Sequence, residues 1–344
     1  MKKKLLSIVI PTYNMERYLH RCLNSTLIEK RHLLEVIIVN DGSQDMSLEI
    51  AREYEYKYPE TFKVIDKVNG NYGSCVNRGI DEAIGQYFRI LDADDYFDKD
   101  ALSELIEKIE SFDHEPDLII SNYQEDYPDG YSNYIINHQY KYNNLYLFNN
   151  VVLGKQKGGY LAVMHRMTYK LEVIRASMLR HLEGISYTDS EYCFYPLRKV
   201  KTIMFLNITL YHYQLGREGQ TVSELAYQKN IHNLYRIIDR MLNSFKKEEK
   251  NLPYYKSLIC IIQINLKVYY KTILTGNFEH NEDLNAMDDR IKVFDKELYE
   301  YLGSIKKYHI IPIVKLWRKG IKPNSPFFLW IYRIIGRRLK LIRK

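Results

Sequence analysis

Residues 87–98 read YFRILDADDYFD, an apolar run that closes on three carboxylates within four residues, Asp92, Asp94 and Asp95. The run, aromatic and branched and bounded by polar residues, predicts a buried strand. Like charges packed that closely repel, and they are costly to desolvate at the margin of a core. In a strand, residues i and i+2 point the same way, so Asp92 and Asp94 can converge on one point. Oxygen-only ligands suit a hard cation, Mg²⁺ or Mn²⁺, and Mg²⁺ commonly takes one or two carboxylates together with substrate phosphates. A cation at this point would hold a diphosphate and cancel the repulsion. The simpler alternative is a solvated acidic turn leading into the helix near Lys99.

Working outward, short apolar runs recur at LLSIVIP, EVIIVND, FKVID and DLIISNY, and helical patterns fill the intervals at about 14–28, 45–58, 74–84 and 99–112. Strands alternating with helices predict an α/β fold with a mostly parallel sheet covered on both faces. In such sheets ligands bind beyond the carboxyl ends of the strands. Those ends carry Pro11-Thr12-Tyr13-Asn14, Asn40-Asp41-Gly42-Ser43, Asn69-Gly70-Asn71-Tyr72-Gly73 and Asp92-Ala93-Asp94-Asp95. Four polar rims together describe a site. Asp41 suits a hydrogen bond to a base or ribose and equally an Asx-turn or N-cap, since NDGSQD initiates a helix. Gly70 and Gly73 permit close backbone approach. The loop after the first strand, IPTYNMERY, has no GxGxxG, and no Walker A lysine motif is present.

At 344 residues, with 46% hydrophobic and 27% charged side chains, the composition is that of a globular protein. The net charge of +7 is uneven: residues 305–344 hold 12 Lys or Arg and no Asp or Glu, leaving about −5 for the rest. Cys22, Cys75, Cys193 and Cys260 are scattered, which argues against a disulfide framework or zinc site and fits a reducing cytosol. MKKKLLSIVIP imitates a basic n-region, yet its apolar run is too short and lacks a cleavage site, so no secretion signal is expected. No run of 18 apolar residues predicts a membrane span. A helix is expected at about 187–200, followed by two short strands, KTIMFL and ITLYHY, and the chain from Glu224 reads helical almost throughout.

LSIVIPTYNMERYLHRCLNSTL, LEVIIVNDGSQD, NGNYGSCVNRGIDEAIGQYFRILDADDYF and LYHYQLGREGQTVS together resemble the inverting glycosyltransferases of family 2, with the GT-A fold. The match covers about residues 5–125, and 160–222 more loosely. The resemblance implies a GT-A domain over 1–222, with its nucleotide-binding half at about 1–125 and its acceptor and base half at 126–222. A helical region follows over 223–344. It also implies a nucleotide-diphosphate sugar donor, commonly uridine-linked. Pro11, Thr12, Tyr13, Glu16 and Asp41 would line the base and ribose, with Asn71, Gly73, Asn77, Asp92 and Ala93 completing the nucleotide site. Asp92 and Asp94 match the family's DXD, with Asp94 the likelier direct ligand of Mn²⁺ or Mg²⁺ and Asp95 beside it. Val76 departs from the family pattern, where many relatives have arginine.

Single displacement at the anomeric carbon needs a general base for the acceptor hydroxyl and positive charge for the departing diphosphate. Within EGISYTDSEYCFYPL the resemblance points to Asp189 as the base; Glu183 and Glu191 are substitutes, and Asp189 also suits an N-cap. Arg217, in the segment where relatives have a basic lid, would bind the diphosphate. His212 is a candidate metal ligand, though a histidine between tyrosines is often a core residue. His165, Arg166 and Lys170 would lie toward the acceptor.

In the 305–344 tail, the basic residues interleave with Trp317, Phe327, Phe328, Trp330 and Tyr332. No nucleic-acid module accompanies them; a solvated helix face is the plainer alternative, and an anionic membrane surface suits them better. The expected setting is cytoplasmic, peripheral on the inner face of the membrane, acting on a glycan or lipid-linked acceptor in cell-surface polysaccharide assembly. The rivals are a nucleotidyltransferase, which should carry a glycine-rich basic first loop, and a nucleotide-sugar-binding or scaffold protein without turnover.

Overall fold

The computed structural model describes residues 4–157, 159–217, 219–276, 281–307 and 311–321. The aromatic and basic stretch past residue 321 lies outside them. Among the described residues ten strands form one sheet: β1 (Leu6–Thr12), β2 (Leu34–Asn40), β3 (Phe62–Asp66), β4 (Tyr87–Ile90), β5 (Tyr96–Phe97), β6 (Leu118–Asp126), β7 (Ser132–Ile135), β8 (Leu145–Leu147), β9 (Met167–Lys170) and β10 (Thr202–Gln214). Their order is β3-β2-β1-β4-β9-β6-β10-β5, with β7 on β6 and β8 on β10.

The first four strands pair in parallel, so Thr12, Asn40 and Asp66 end on one edge in register. All seven residues of β2 are buried, the continuous apolar pattern of a strand covered on both faces. β9 runs antiparallel between β4 and β6, and β10 runs parallel to β6. β5 follows the acidic turn and pairs antiparallel with β10, Tyr211 opposite Phe97. That pairing folds the turn 92–95 back against β10.

Four helices return the chain between these strands: α1 (Glu16–Asn24), α2 (Ser47–Lys57), α3 (Asn71–Glu82) and α4 (Lys99–Glu110). Asp98 caps α4 through the Ala101 amide at 2.8 Å. The N-cap residues of α1 and α2, Met15 and Met46, offer no capping side chain, and the two helix starts cap each other. Asp45 and Ser47 accept from Glu16 N (3.0 Å) and Met15 N (2.7 Å), and the Glu16 carboxylate accepts from Met46 N at 3.0 Å. α3 lies so close on β1 that a Cβ at Gly79 would stand 2.4 Å from Val9 Cγ2.

Two readings change on contact with the structure. The segment 201–213, expected as two short strands, is one 13-residue strand, β10, with register shifts between Phe205 and Tyr211 instead of a break. The helix expected over 187–200 is α6 (Asp189–Phe194), after α5 (Leu171–Ala176), followed by a tighter turn at Pro196–Lys199. Pro196 has no N–H to continue the α-helical ladder.

The chain divides into two compact units, 1–220 with 243–261, and 221–242 with 262–344. The helices after Thr221 are α7 (Glu224–Lys229), α8 (Ile231–Asn243), α9 (Tyr255–Thr275), α10 (Asn281–Phe294), α11 (Lys296–Gly303) and α12 (Ile313–Arg318). A short hairpin pairs Lys306–Lys307 with Ile311–Pro312. Among the described residues α9 is the one helix long and apolar enough to cross a membrane, with mean hydropathy 1.2; 61% of that window is buried inside the protein, as in the core helix of a globular fold.

Candidate active site

The edge formed by the ends of β1 to β4 carries the polar rims. Asp41, 2% exposed, accepts from the backbone amides of Gly70 (2.9 Å) and Asn71 (2.8 Å) and from the Lys67 ammonium. These contacts start α3 at Asn71, three residues before the sequence pattern suggested. The Asn71 backbone is left-handed, φ 70°, a conformation asparagine tolerates. Thr12 is buried with its hydroxyl on the Ile10 carbonyl, and Tyr13 is exposed. Pro11 is half-buried at the rim and Ala93 is buried.

The acidic turn is held from three sides. The Tyr72 hydroxyl donates to Asp92 Oδ1 at 2.9 Å. The Tyr211 hydroxyl donates to Asp95 Oδ2 at 2.7 Å, and the Gln214 amide donates to Asp95 Oδ1 at 2.8 Å. Arg21 donates to the Asp94 carbonyl at 2.8 Å, while the Arg217 guanidinium pairs with the Asp94 carboxylate. Asp95 is fully buried and Asp94 is 8% exposed; Asp92 is half-buried. Burial, then repulsion from Asp94, raises the Asp92 pKa against the opposing hydrogen bond from Tyr72. Burial followed by the charges of Asp94 and Asp92 raises that of Asp95 further. A corner whose carboxylates resist ionisation this way gains most from a cation.

One nitrogen joins the corner, and it is not the expected one. Ligand atoms of Asp92, Asp95 and His165 all lie within 4.8 Å of one another. His212 instead turns Nδ1 to Asp126 Oδ2 at 2.9 Å and stacks on Tyr96 with centroids 4.5 Å apart. The reason is β5: pairing with β10 puts Tyr96 opposite His212. Burial, with the Arg89 charge added, lowers the His165 pKa to about 3, so it is a neutral imidazole, and its Nδ1 is buried without a hydrogen-bond partner. Two carboxylates and a neutral imidazole, with Asp94 beside them on Arg217, fit an octahedral, oxygen-preferring divalent ion such as Mn²⁺ or Mg²⁺, the nitrogen favouring Mn²⁺.

Arg166 and Lys170, expected near an acceptor, are engaged elsewhere. Arg166 is fully buried, donating to Ser121 O at 3.0 Å and Asn122 Oδ1 at 3.2 Å. Lys170 pairs with Glu115 (3.0 Å) and Glu172 (2.9 Å). Sequence reasoning missed Arg89, wholly buried in β4, which donates to Thr168 Oγ1 (2.8 Å), Ser121 Oγ (3.3 Å) and the His165 carbonyl. A lone arginine inside an apolar strand was the available signal.

The loop before Asp189 is tied to α3. The Asn77 side chain donates to His181 O (3.0 Å) and Glu183 Oε1 (2.9 Å) and accepts from His181 N (2.7 Å). Gly184 N donates to Gly70 O at 2.8 Å. Gly73 permits this approach, since a Cβ there would stand 2.2 Å from Leu182 O. Asn77 and Gly73, expected at the nucleotide, thus face the loop before Asp189. Glu191, fully buried, accepts from Leu182 N at 2.8 Å, and Glu183 is exposed with one oxygen on Asn77. Asp189 opens α6 with a half-buried carboxylate, and Tyr187 just before it holds a left-handed φ of 69°. Burial raises the Asp189 pKa against hydrogen bonds from the first backbone amides of the helix. Its charge in turn raises the pKa values of Asp92 and Tyr72, so it stands near the acidic corner.

Residues 7–167 match the family described as "Glycosyl transferase family 2". Among curated proteins, an uncharacterized glycosyltransferase of Mycoplasma genitalium, MG025, is 40% identical over 107 residues, 30% of this chain and 36% of that protein. The minor teichoic acid biosynthesis protein GgaB of Bacillus subtilis is 22% identical over 321 residues, 90% of this chain and 35% of that protein. The alignments therefore span about a third of these relatives' length. Among solved structures, S. aureus TarS 1–349 with UDP-GlcNAc superposes with a TM-score of 0.63 at 18% identity, covering 92% of each chain. The mannosyltransferase PcManGT of Pyrobaculum calidifontis, solved with GDP-Man and Mn²⁺, gives 0.50 at 14% identity over 93% and 89%. These likenesses are of fold.

Proposed function

We propose that this chain, residues 7–167 of which match the family 2 glycosyltransferases, is an enzyme of GT-A fold that transfers a sugar from a uridine-diphosphate donor to a hydroxyl of a glycan or lipid-linked acceptor, with inversion. The observation that carries this is the pairing of two acidic elements at one strand edge: the fixed corner 92–95, and Asp189, which no described side chain of opposite charge neutralises. In this reading Asp41 and the Gly70–Asn71 backbone shape the nucleotide end, while Arg217 moves from Asp94 to the diphosphate. Asp189 accepts the acceptor's proton; its raised pKa makes it a stronger base than an exposed aspartate. Asp92, Asp94 and Asp95, with His165 and Tyr72 around them, would hold a Mn²⁺ or Mg²⁺ ion. Such an ion supplies charge stabilisation to the departing diphosphate. The basic segment 305–344 would rest on the anionic inner face of a membrane, beside lipid-linked acceptors.

Thermal-shift measurements against a panel of nucleotide sugars, with and without Mn²⁺, test the proposal. Uridine diphosphate compounds should raise the melting temperature only with the metal present. Equal, metal-independent shifts for every nucleotide would reject it, and tight binding without turnover would favour the binding-protein alternative.

A further inference from the structure

In the helical unit, between α11, the 306–312 hairpin and α12, lies a cavity of about 540 Å³. Lys306, Lys315, Lys319 and Arg318 line it against a single carboxylate, Glu300. Arg318 is already matched. It donates to Asp288 at 2.9 and 2.6 Å and to the Tyr299 carbonyl at 3.0 Å, with its guanidinium 3.5 Å from the Tyr299 ring centroid. A Cβ at Gly303 would stand 3.2 Å from Arg318 Nη1, so the arginine forms a fixed floor under the glycine. Among the described residues no carboxylate pairs with Lys306, Lys315 or Lys319. Residues 305–344 contain no acidic residue that could do so.

We propose that this cavity binds a phosphate group. A concave wall of one sign concentrates the field and attracts a counter-ion. The chemistry of the donors selects which one. A planar carboxylate is best matched by a guanidinium fork, and the one fork here is held by Asp288. What remains is three exposed lysines at the cavity's rim, whose ammonium groups are point charges that suit a tetrahedral polyanion. The cavity's size admits a phosphate-bearing headgroup. The phosphate can come from a lipid headgroup or from a soluble phosphate. For the lipid source this inference rests on the proposed membrane contact of segment 305–344 and deepens it; no residue of the sugar-transfer crevice takes part.

The test uses the full chain and its Lys306→Ser/Lys315→Ser/Lys319→Ser variant, with Lys57→Ser/Lys201→Ser/Lys296→Ser as a control of equal charge. One arm titrates inorganic pyrophosphate by calorimetry without divalent metal; the other sediments the protein with vesicles of 30% phosphatidylglycerol in phosphatidylcholine. Each lysine near an anionic group contributes roughly fivefold, so the cavity variant should lose on the order of a hundredfold in one or both arms. The control should lose little, and Glu300→Gln should tighten binding about fivefold. Loss confined to vesicles identifies a lipid headgroup; loss confined to pyrophosphate identifies a soluble phosphate. Equal binding by parent and cavity variant, equal loss in the control, or no binding by the parent in either arm overturns the proposal. An unchanged far-ultraviolet circular dichroism spectrum and melting temperature, read without nucleotide, show that the variant is folded.

Discussion

Replacing Asn77 by alanine separates two accounts of the same residue. If Asn77 touches the nucleotide, the variant should bind UDP weakly and turn over normally once saturated. The structure gives it a different role, because three hydrogen bonds from its side chain hold loop 181–183 on α3, at 2.7, 2.9 and 3.0 Å. Alanine removes the Asn77 bonds to the His181 amide and carbonyl beside a buried α3. Each unsatisfied buried group costs about 1–3 kcal/mol, so the loop loses roughly 2–4 kcal/mol after water reaches its exposed end at Glu183. Other ties remain, among them Leu182 N to Glu191 and Gly184 N to Gly70 O, both 2.8 Å, so the loop shifts and does not unfold. A displacement of about 1 Å at a catalytic group can lower the rate about a hundredfold. We therefore expect kcat to fall about 10- to 100-fold, with the Kd for UDP changed less than about threefold. Calorimetric UDP binding and saturating steady-state kinetics read the two quantities separately. An unchanged kcat with a strongly raised Kd refutes the positioning role and restores the nucleotide contact.

Asp189→Asn should lower kcat by about 10²–10⁴ with the fold intact, as loss of a general base does. Because the base must be ionised and burial raises its pKa, kcat/KM should fall with decreasing pH at a midpoint above the ordinary aspartate value; a midpoint at or below that value contradicts the buried setting. Tyr211→Phe removes the donor to Asp95 Oδ2 and the acceptor of the Asp92 amide. It should destabilise the first unit by about 1.5–3 kcal/mol, read as a lower melting temperature. Gly79→Ala forces a methyl against Val9 and should cost about 1–3 kcal/mol in the same measurement; a variant as stable as the parent would show that α3 and β1 have room to separate.

The order of elements over 5–125 was legible because each strand and helix writes its own period. β2 is seven buried residues in a row and α4 begins at an Asp98 cap three residues before Ala101, so local patterning suffices. The acidic turn was legible for the same reason, being one short stretch at a strand's end. What the sequence alone could not decide is which distant residues meet it. His165 and His212 are equally plain histidines in the chain. Only the pairing of β5 with β10 sends His212 to Asp126 and Tyr96, while the neighbouring strands bring His165 to Asp92 and Asp95. Asn77 likewise sits in a helix that could face either way, and Gly73 lets that helix close on a loop more than a hundred residues further on. Local structure follows from spacing along the chain; the partners of a polar side chain follow from sheet order and close approach, which no local period encodes.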